Sequence, residues 1–229
     1  MASKAYVTPE LFRFFRQLER NNEREWFQKN KKRYESVVRD PLLELVSDFA
    51  PRLHEISPHL VADPRPVGGA LFRIYRDVRF SNDKTPYKTA AGVRFPHEDT
   101  KSVHAPGFYL HLEPGSVFAG AGVWRPEAAT LQKIRDEIVA DPKGFTRSIS
   151  GKAFKAQCTL GGESLKRPPK GYDPDHPLIE HLKRKDFIAS VPFTEADACR
   201  EDFPRRLAAA FRVMAPFNGY LTRALGASW

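Results

Sequence analysis

A chain of 229 residues, 41% hydrophobic and 28% charged, is long enough to bury a core without covalent staples, and its 17 phenylalanines make that core aromatic. Its two cysteines, Cys158 and Cys199, form no CxxC pair, which leaves a zinc knuckle or dithiol motif unsupported; with no signal-peptide core and no apolar run of membrane-span length, a cytoplasmic protein with reduced thiols and no membrane partner is expected. The formal net charge of +9 favours anionic partners, either a small molecule or nucleic acid.

Thr8, Pro9 and Glu10 carry a helix start: a cap, a proline with no N–H to waste and an acid at the positive helix end. Leu11, Phe12, Phe14, Phe15 and Leu18 form its apolar face, and Asn21–Asn22 breaks the pattern. In a second helix Trp26, Phe27, Tyr34, Val37 and Val38 recur at helical spacing, with Asn30 on the same stripe. Asp40–Pro41 repeats the cap signal and opens a third helix, which Pro51 is expected to kink or end. Residues 57–69 are rich in proline and glycine and read as a loop, so that 8–56 forms a helical layer.

The period then changes. Residues 70–80, 90–96, 107–113 and 116–124 alternate as strands, and Pro114–Gly115–Ser116 turns a hairpin, which argues for antiparallel pairing across a sheet spanning about 70–124. Residues 126–229 read as helices and loops: a helix after Trp124, another started by Asp141–Pro142, a loop-rich stretch at 151–176, and a short helix that Asp175 is expected to cap. One more strand follows at 186–193, then a last helical region capped by Thr194 and expected to kink near Pro216. With no repeat or linker, the expected architecture is a single α+β domain over 1–229: an antiparallel-rich β-sheet packed by N-terminal and C-terminal helices.

The stretch "FRIYRDVRFSNDKTPYKT" (72–89) mixes strand and charge. Read as a strand, Phe72, Ile74, Arg76, Val78 and Phe80 share one face, and Arg73, Tyr75, Asp77 and Arg79 the other. Arg76 then sits on an apolar face, where a guanidinium must meet a carboxylate, line a polar cavity or escape through a twist or altered register. Ser81, Asn82 and Asp83 are turn formers and Thr85–Pro86 is extended, so Lys84, Tyr87 and Lys88 emerge from a constrained loop. Arg73, Tyr75, Arg76, Arg79, Lys84, Tyr87 and Lys88 are candidate contacts to an anion, with Trp124 and Arg125 as a rim at the end of a glycine-bearing strand. On that strand Phe118, Gly120, Gly122 and Trp124 share a face, a flat floor that an aromatic ring could cover.

In "FYLHLEP", Tyr109, His111 and Glu113 share a strand face. A His and a Glu two apart can act as an acid–base pair or reach one metal ion, with a third ligand from Asp77 or Asp83 if the strands neighbour. His111, Glu113 and Asp77 are therefore the catalytic candidates, while metal and cofactor stay open. The stretch "LKRPPKGYDPDHP" combines cations with an aromatic and suits either a phosphodiester contact or an ordinary exposed loop. Neither GxSxG nor GxGxxG occurs.

The motifs "LFRIYRDVRFSNDKTPYKT", "FYLHLEP", "GAGVWRPE" and "RPPKGYDPDHP" with "LKRKDF" together resemble the domain of unknown function 2461 family, found mainly in bacteria and fungi. The resemblance runs from "FFRQLERNNEREWF" to the last helix and implies one intact domain; it brings no assigned reaction, cofactor or catalytic residue. The residues favour a basic, aromatic-lined pocket for a phosphate-bearing ligand. A hydrolase acting on a phosphoester or similar bond, a nucleic-acid-binding module and a protein-interaction domain are the alternatives, and the oligomeric state stays open.

Overall fold

In the computed structural model, which describes residues 4–99 and 106–229, Thr8 takes the extended backbone of a cap and Pro9 opens α1 (Pro9–Arg20), although the Thr8 hydroxyl makes no bond to the helix. Leu11, Phe12, Phe14, Phe15 and Leu18 are all buried. Next, α2 (Arg24–Tyr34) runs through a π-helical stretch, Glu35–Arg39, straight into α3 (Asp40–His54). Asp40–Pro41 thus opens α3 where expected, but as a continuation of the preceding helical turn and not from a cap. Asp40 is helical, and its N–H reaches back five residues to the Glu35 carbonyl. The widened turn makes room for the Pro41 ring, which a regular turn would drive against the carbonyl four residues back. Pro51 also lies inside α3, which runs on to His54. Asn30 donates to the Trp26 carbonyl at 3.0 Å, within its own helix.

The later elements are β1 (Ala91–Pro96), β2 (Gly107–Glu113), β3 (Ser116–Val123), α4 (Ala128–Ala140), α5 (Pro142–Ser150), α6 (Lys152–Gln157), β4 (Thr159–Gly161), α7 (Ile179–Leu182), β5 (Phe187–Phe193), α8 (Glu195–Ala198) and α9 (Phe203–Ala224). The strands form one antiparallel sheet in the order β1-β2-β3-β5-β4. The fold is thus the expected α+β single domain. Pro114 and Gly115, the latter at φ +78°, make the tight β2–β3 turn, and Asp141 and Thr194 cap α5 and α8 through their side chains. Pro216 lies within α9, which continues past it to Ala224. Among the described residues no helix is long and apolar enough to cross a membrane.

Three further readings need correction. Residues 70–80 form no strand. Phe72 N–H bonds the Gly92 carbonyl and Arg94 N–H the Ala70 carbonyl, so 70–72 lie along the outer edge of β1; the chain then folds on itself, Arg76 N–H to Pro86 carbonyl and Lys88 N–H to Ile74 carbonyl. What looked like a strand is the first arm of a narrow excursion, closed by the Tyr75–Tyr87 bridge. The loop-rich 151–176 contains α6 and β4, the latter too short, at three residues, for alternation to show. Asp175 caps nothing: its N–H bonds the Asp173 carboxylate, and α7 starts only after Leu178.

The sheet has two unlike faces. Val93, Phe95, Phe108, Leu110, Leu112 and Ala119 are buried in the core that α9 and the N-terminal helices share. Residues in opposite phase, Tyr109, His111, Glu113, Phe118 and Gly120 among them, face the other way, and the excursion after β1's outer edge stands beside them.

Candidate functional site

The excursion is anchored from a distance. Asn22, at the α1–α2 turn, accepts from Tyr87 N–H at 3.1 Å and donates to the Tyr87 carbonyl at 2.9 Å, as a neighbouring strand would. The Tyr87 ring stacks on Phe27 with centroids 4.1 Å apart. Read in sequence, Asn21–Asn22 is only a helix break; nothing local signals that its amide would be matched to a backbone 65 residues away.

Strand phase fails along this arm. Ile74 is buried, Phe80 is 95% exposed, and Arg76 sits part-buried on no continuous apolar face. The Arg76 guanidinium pairs with the Asp83 carboxylate and the Thr85 hydroxyl, both on the returning arm. Asp77 pairs with Arg79 at 2.6 Å, and Lys84 donates to the Val78 carbonyl at 3.1 Å. The tip is therefore closed by its own charges.

Asp83 is held at about 2, chiefly by the Thr85 amide and then by the Arg76 guanidinium. Its folded pKa lies below its ordinary 3.8, so the stability it contributes is complete above about pH 4 and is lost as pH falls towards 2. Asp83→Asn should flatten that part of the acid-unfolding profile measured by circular dichroism. An unchanged acid limb would show that the tip is not coupled to folding.

Between the excursion and the open sheet face lies a cleft of about 690 Å³. Arg76, Tyr87, Lys88, His111, Glu113 and Trp124 all line it. The other candidates do not: Arg73, Tyr75 and Lys84 belong to the excursion outside the lining, Asp77 and Arg79 pair with each other at the tip, and the Arg125 guanidinium lies 4.8 Å over the Trp124 ring. Asp77 thus does not join His111 and Glu113. Among the described residues no group of three or more His, Cys, Asp or Glu side chains is arranged to hold a metal ion.

The alternation of β2 brings three side chains into one relay. The Tyr109 hydroxyl lies 3.1 Å from His111 Nδ1, and His111 Nε2 lies 3.0 Å from Glu113 Oε2. Burial and then the Glu113 charge push Tyr109 up to about 12, so the phenol keeps its proton and donates to Nδ1. In a neutral ring the Glu113 carboxylate, an acceptor only, takes the Nε2 proton, which leaves Nδ1 to accept from Tyr109. The ring is further fixed by stacking on Phe118 at 4.8 Å. Both ring nitrogens are engaged within the relay, so a proton exchanged with a bound molecule passes through the Tyr109 hydroxyl or the Glu113 carboxylate at its ends.

Of the cleft's charged groups, Arg76 is answered by Asp83, the Glu113 carboxylate takes a hydrogen bond from His111, and Glu19 lies exposed in the lining. Lys88 differs. Its ammonium donates to the Arg73 carbonyl at 2.8 Å and stands 5.7 Å over the Phe72 ring, and it forms no ion pair among the described residues. Burial, then the Arg73 charge, lower its pKa, because a half-buried ammonium without a counter-ion is disfavoured.

A second cavity, of about 370 Å³, adjoins the first and shares Phe72, Tyr109, His111 and Trp124 with it. Its floor includes Gly107, Gly120 and Gly122, with Phe118 and Ile188 beside them. Trp124 leaves β3 at the rim, 60% exposed, and Arg125 follows at φ +47°, its N–H donated to the buried Asp186 carboxylate. The "LKRPPKGYDPDHP" loop lies apart from both cavities, with the Tyr172 hydroxyl bonded to Asp136 on α4 at 2.7 Å.

A family model described as conserved hypothetical protein (DUF2461) matches residues 10–220. No curated protein matches the chain.

Proposed function

The chain belongs to the DUF2461 family of conserved hypothetical proteins, and from that premise we propose that its cleft binds a small organic molecule bearing one anionic group, a phosphate first among them, with Lys88 as the counter-ion. The observation that carries this reading is the half-buried Lys88 ammonium, which has no carboxylate partner among the described residues, whereas the other cation of the cleft's lining, Arg76, is paired with Asp83. An incoming anion removes the cost of burying that charge, which a neutral molecule cannot do. A single unanswered cation suits one anionic group rather than a polyphosphate chain.

Isothermal titration with phenyl phosphate tests it. Lys88→Met keeps the stem and removes the charge. A charge-assisted hydrogen bond contributes about 1.5–3 kcal/mol, so affinity should fall roughly tenfold to a hundredfold with the circular dichroism spectrum unchanged. Equal affinity in the variant would remove Lys88 from the reading.

The 3.0 Å His111–Glu113 hydrogen bond favours a second reading, hydrolysis of a phosphoester, with Glu113 exchanging the proton with the reacting molecule and His111 orienting and backing that carboxylate. The same titration samples, assayed for released phosphate, decide between the two. Turnover that His111→Gln abolishes supports hydrolysis; binding without release supports a binding site alone.

A further inference from the structure

The glycines around the groove are held to glycine for different reasons. A Cβ on Gly107 would lie 2.8 Å from the Phe95 carbonyl oxygen, and one on Gly92 2.4 Å from the Tyr109 hydroxyl. At Gly122, which sits at φ +117°, it would lie 1.9 Å from the Phe187 carbonyl oxygen. Backbone oxygens exclude a side chain at Gly107 and Gly122, and at Gly92 a side chain would have to displace the Tyr109 ring.

Gly120 has none. Its φ lies outside the left-handed region, and a Cβ there would meet its nearest neighbours, Phe118 and Tyr109, at 3.7 Å, an ordinary contact. In the register Gly120 lies opposite Tyr109 on β2 and Ser190 on β5, at the middle of the open face. Glycine inside a strand weakens it, and a β-branched residue would favour it. The backbone gains nothing from glycine here; the groove gains a flat, unfilled floor.

The geometry points to a planar aromatic ring as the group that this floor receives, so that the molecule in the cleft is an aryl compound with its anionic group at Lys88. The anionic end rests on the reading proposed above; the ring end rests on the groove. The walls are rings, Phe72, Tyr109, Phe118 and Trp124, and rings pair offset or edge-on at centroid separations of about 4.5–7 Å. An alkyl chain would bury similar area without that pairing. The cavity of about 370 Å³ falls within the range of small-molecule sites, about 300–1,000 Å³. Phe72 ties the two ends together, since it walls both cavities and carries Lys88 over its face.

Titrations of the wild-type chain and Gly120→Val with 1-naphthyl phosphate, octyl phosphate and neutral 2-naphthol test the inference. Wild type should bind 1-naphthyl phosphate about tenfold tighter than octyl phosphate. Gly120→Val should fold with equal or greater thermal stability, lose that preference and lose 2-naphthol binding. If Gly120→Val does not fold, Gly120→Ala takes its place with the same direction of change. Unchanged 1-naphthyl phosphate affinity in the folded variant, or octyl phosphate bound as tightly as the naphthyl compound, would overturn the ring assignment. Binding of 2-naphthol that Gly120→Val abolishes, alongside an indifferent Lys88→Met, would uphold the ring and dismiss the anion. Absence of binding by all three probes would overturn the ring site itself.

Discussion

Gly122→Ala is expected to lower the thermal midpoint by roughly 6–12 °C, the shift that a loss on the order of 3 kcal/mol produces in a chain of this size. Two costs combine. At φ +117° an L side chain is strained whatever the space around it, and here the new Cβ would also fall 1.9 Å from the Phe187 carbonyl oxygen. That oxygen belongs to β5, which pairs with β3 through Gly122–Ile188 and Val123–Phe187, so relief requires the two strands to part. Gly120, two residues earlier on the same strand, carries neither cost. Urea denaturation of Gly122→Ala beside Gly120→Ala makes the comparison internal: equal midpoints for the pair would refute the assigned cause.

The second large effect belongs to Phe211 on α9, which should cost about 3–5 kcal/mol when cut to alanine. Its ring stacks on Phe108 of β2 with centroids 4.4 Å apart and meets Phe49 of α3 and Phe95 of β1 at 5.8 Å each. One side chain thus joins the N-terminal helical layer, the sheet and the C-terminal helix, and the cavity left behind would open on all three. The urea midpoint should fall with little change in slope. A loss under about 1 kcal/mol would mean that the neighbouring rings collapse into the space.

Much of this was legible in the chain itself, for identifiable reasons. Leu11, Phe12, Phe14, Phe15 and Leu18 repeat with the helical period and are all buried; Tyr109, His111 and Glu113 repeat with the strand period and fall on one face. The Pro114–Gly115 turn needs no partner beyond its own hairpin. Long-range matching is where local reading ends. The segment 70–80 alternates like a strand, yet its course is set by Gly92, Pro86 and, through Tyr87, by Asn22. The partner of Arg76 could not be named from the strand pattern, because Asp83 reaches it only when the segment doubles back. Asp40–Pro41 has the composition of a helix start, but a π-turn absorbs it, since the apolar faces before and after it belong to the same core. The scattering of Arg73, Arg79 and Lys84 away from the cleft is of the same kind: composition counts charges, and only the tertiary fold decides where they gather.

The Asn22–Tyr87 clamp has a consequence for how the cleft behaves in time. One wall, carrying Arg76 and Lys88, is an arm with no strand of its own, held to the α1–α2 turn by two hydrogen bonds and the Tyr87–Phe27 stack. The other wall is the β1–β2 side of an antiparallel sheet. Anything that fits between them joins a fixed surface to a lightly tethered one. Its binding energy is then spent partly on suppressing the opening of the arm, and amides of the excursion and of the α1–α2 turn become the places where occupancy is recorded as slowed hydrogen exchange.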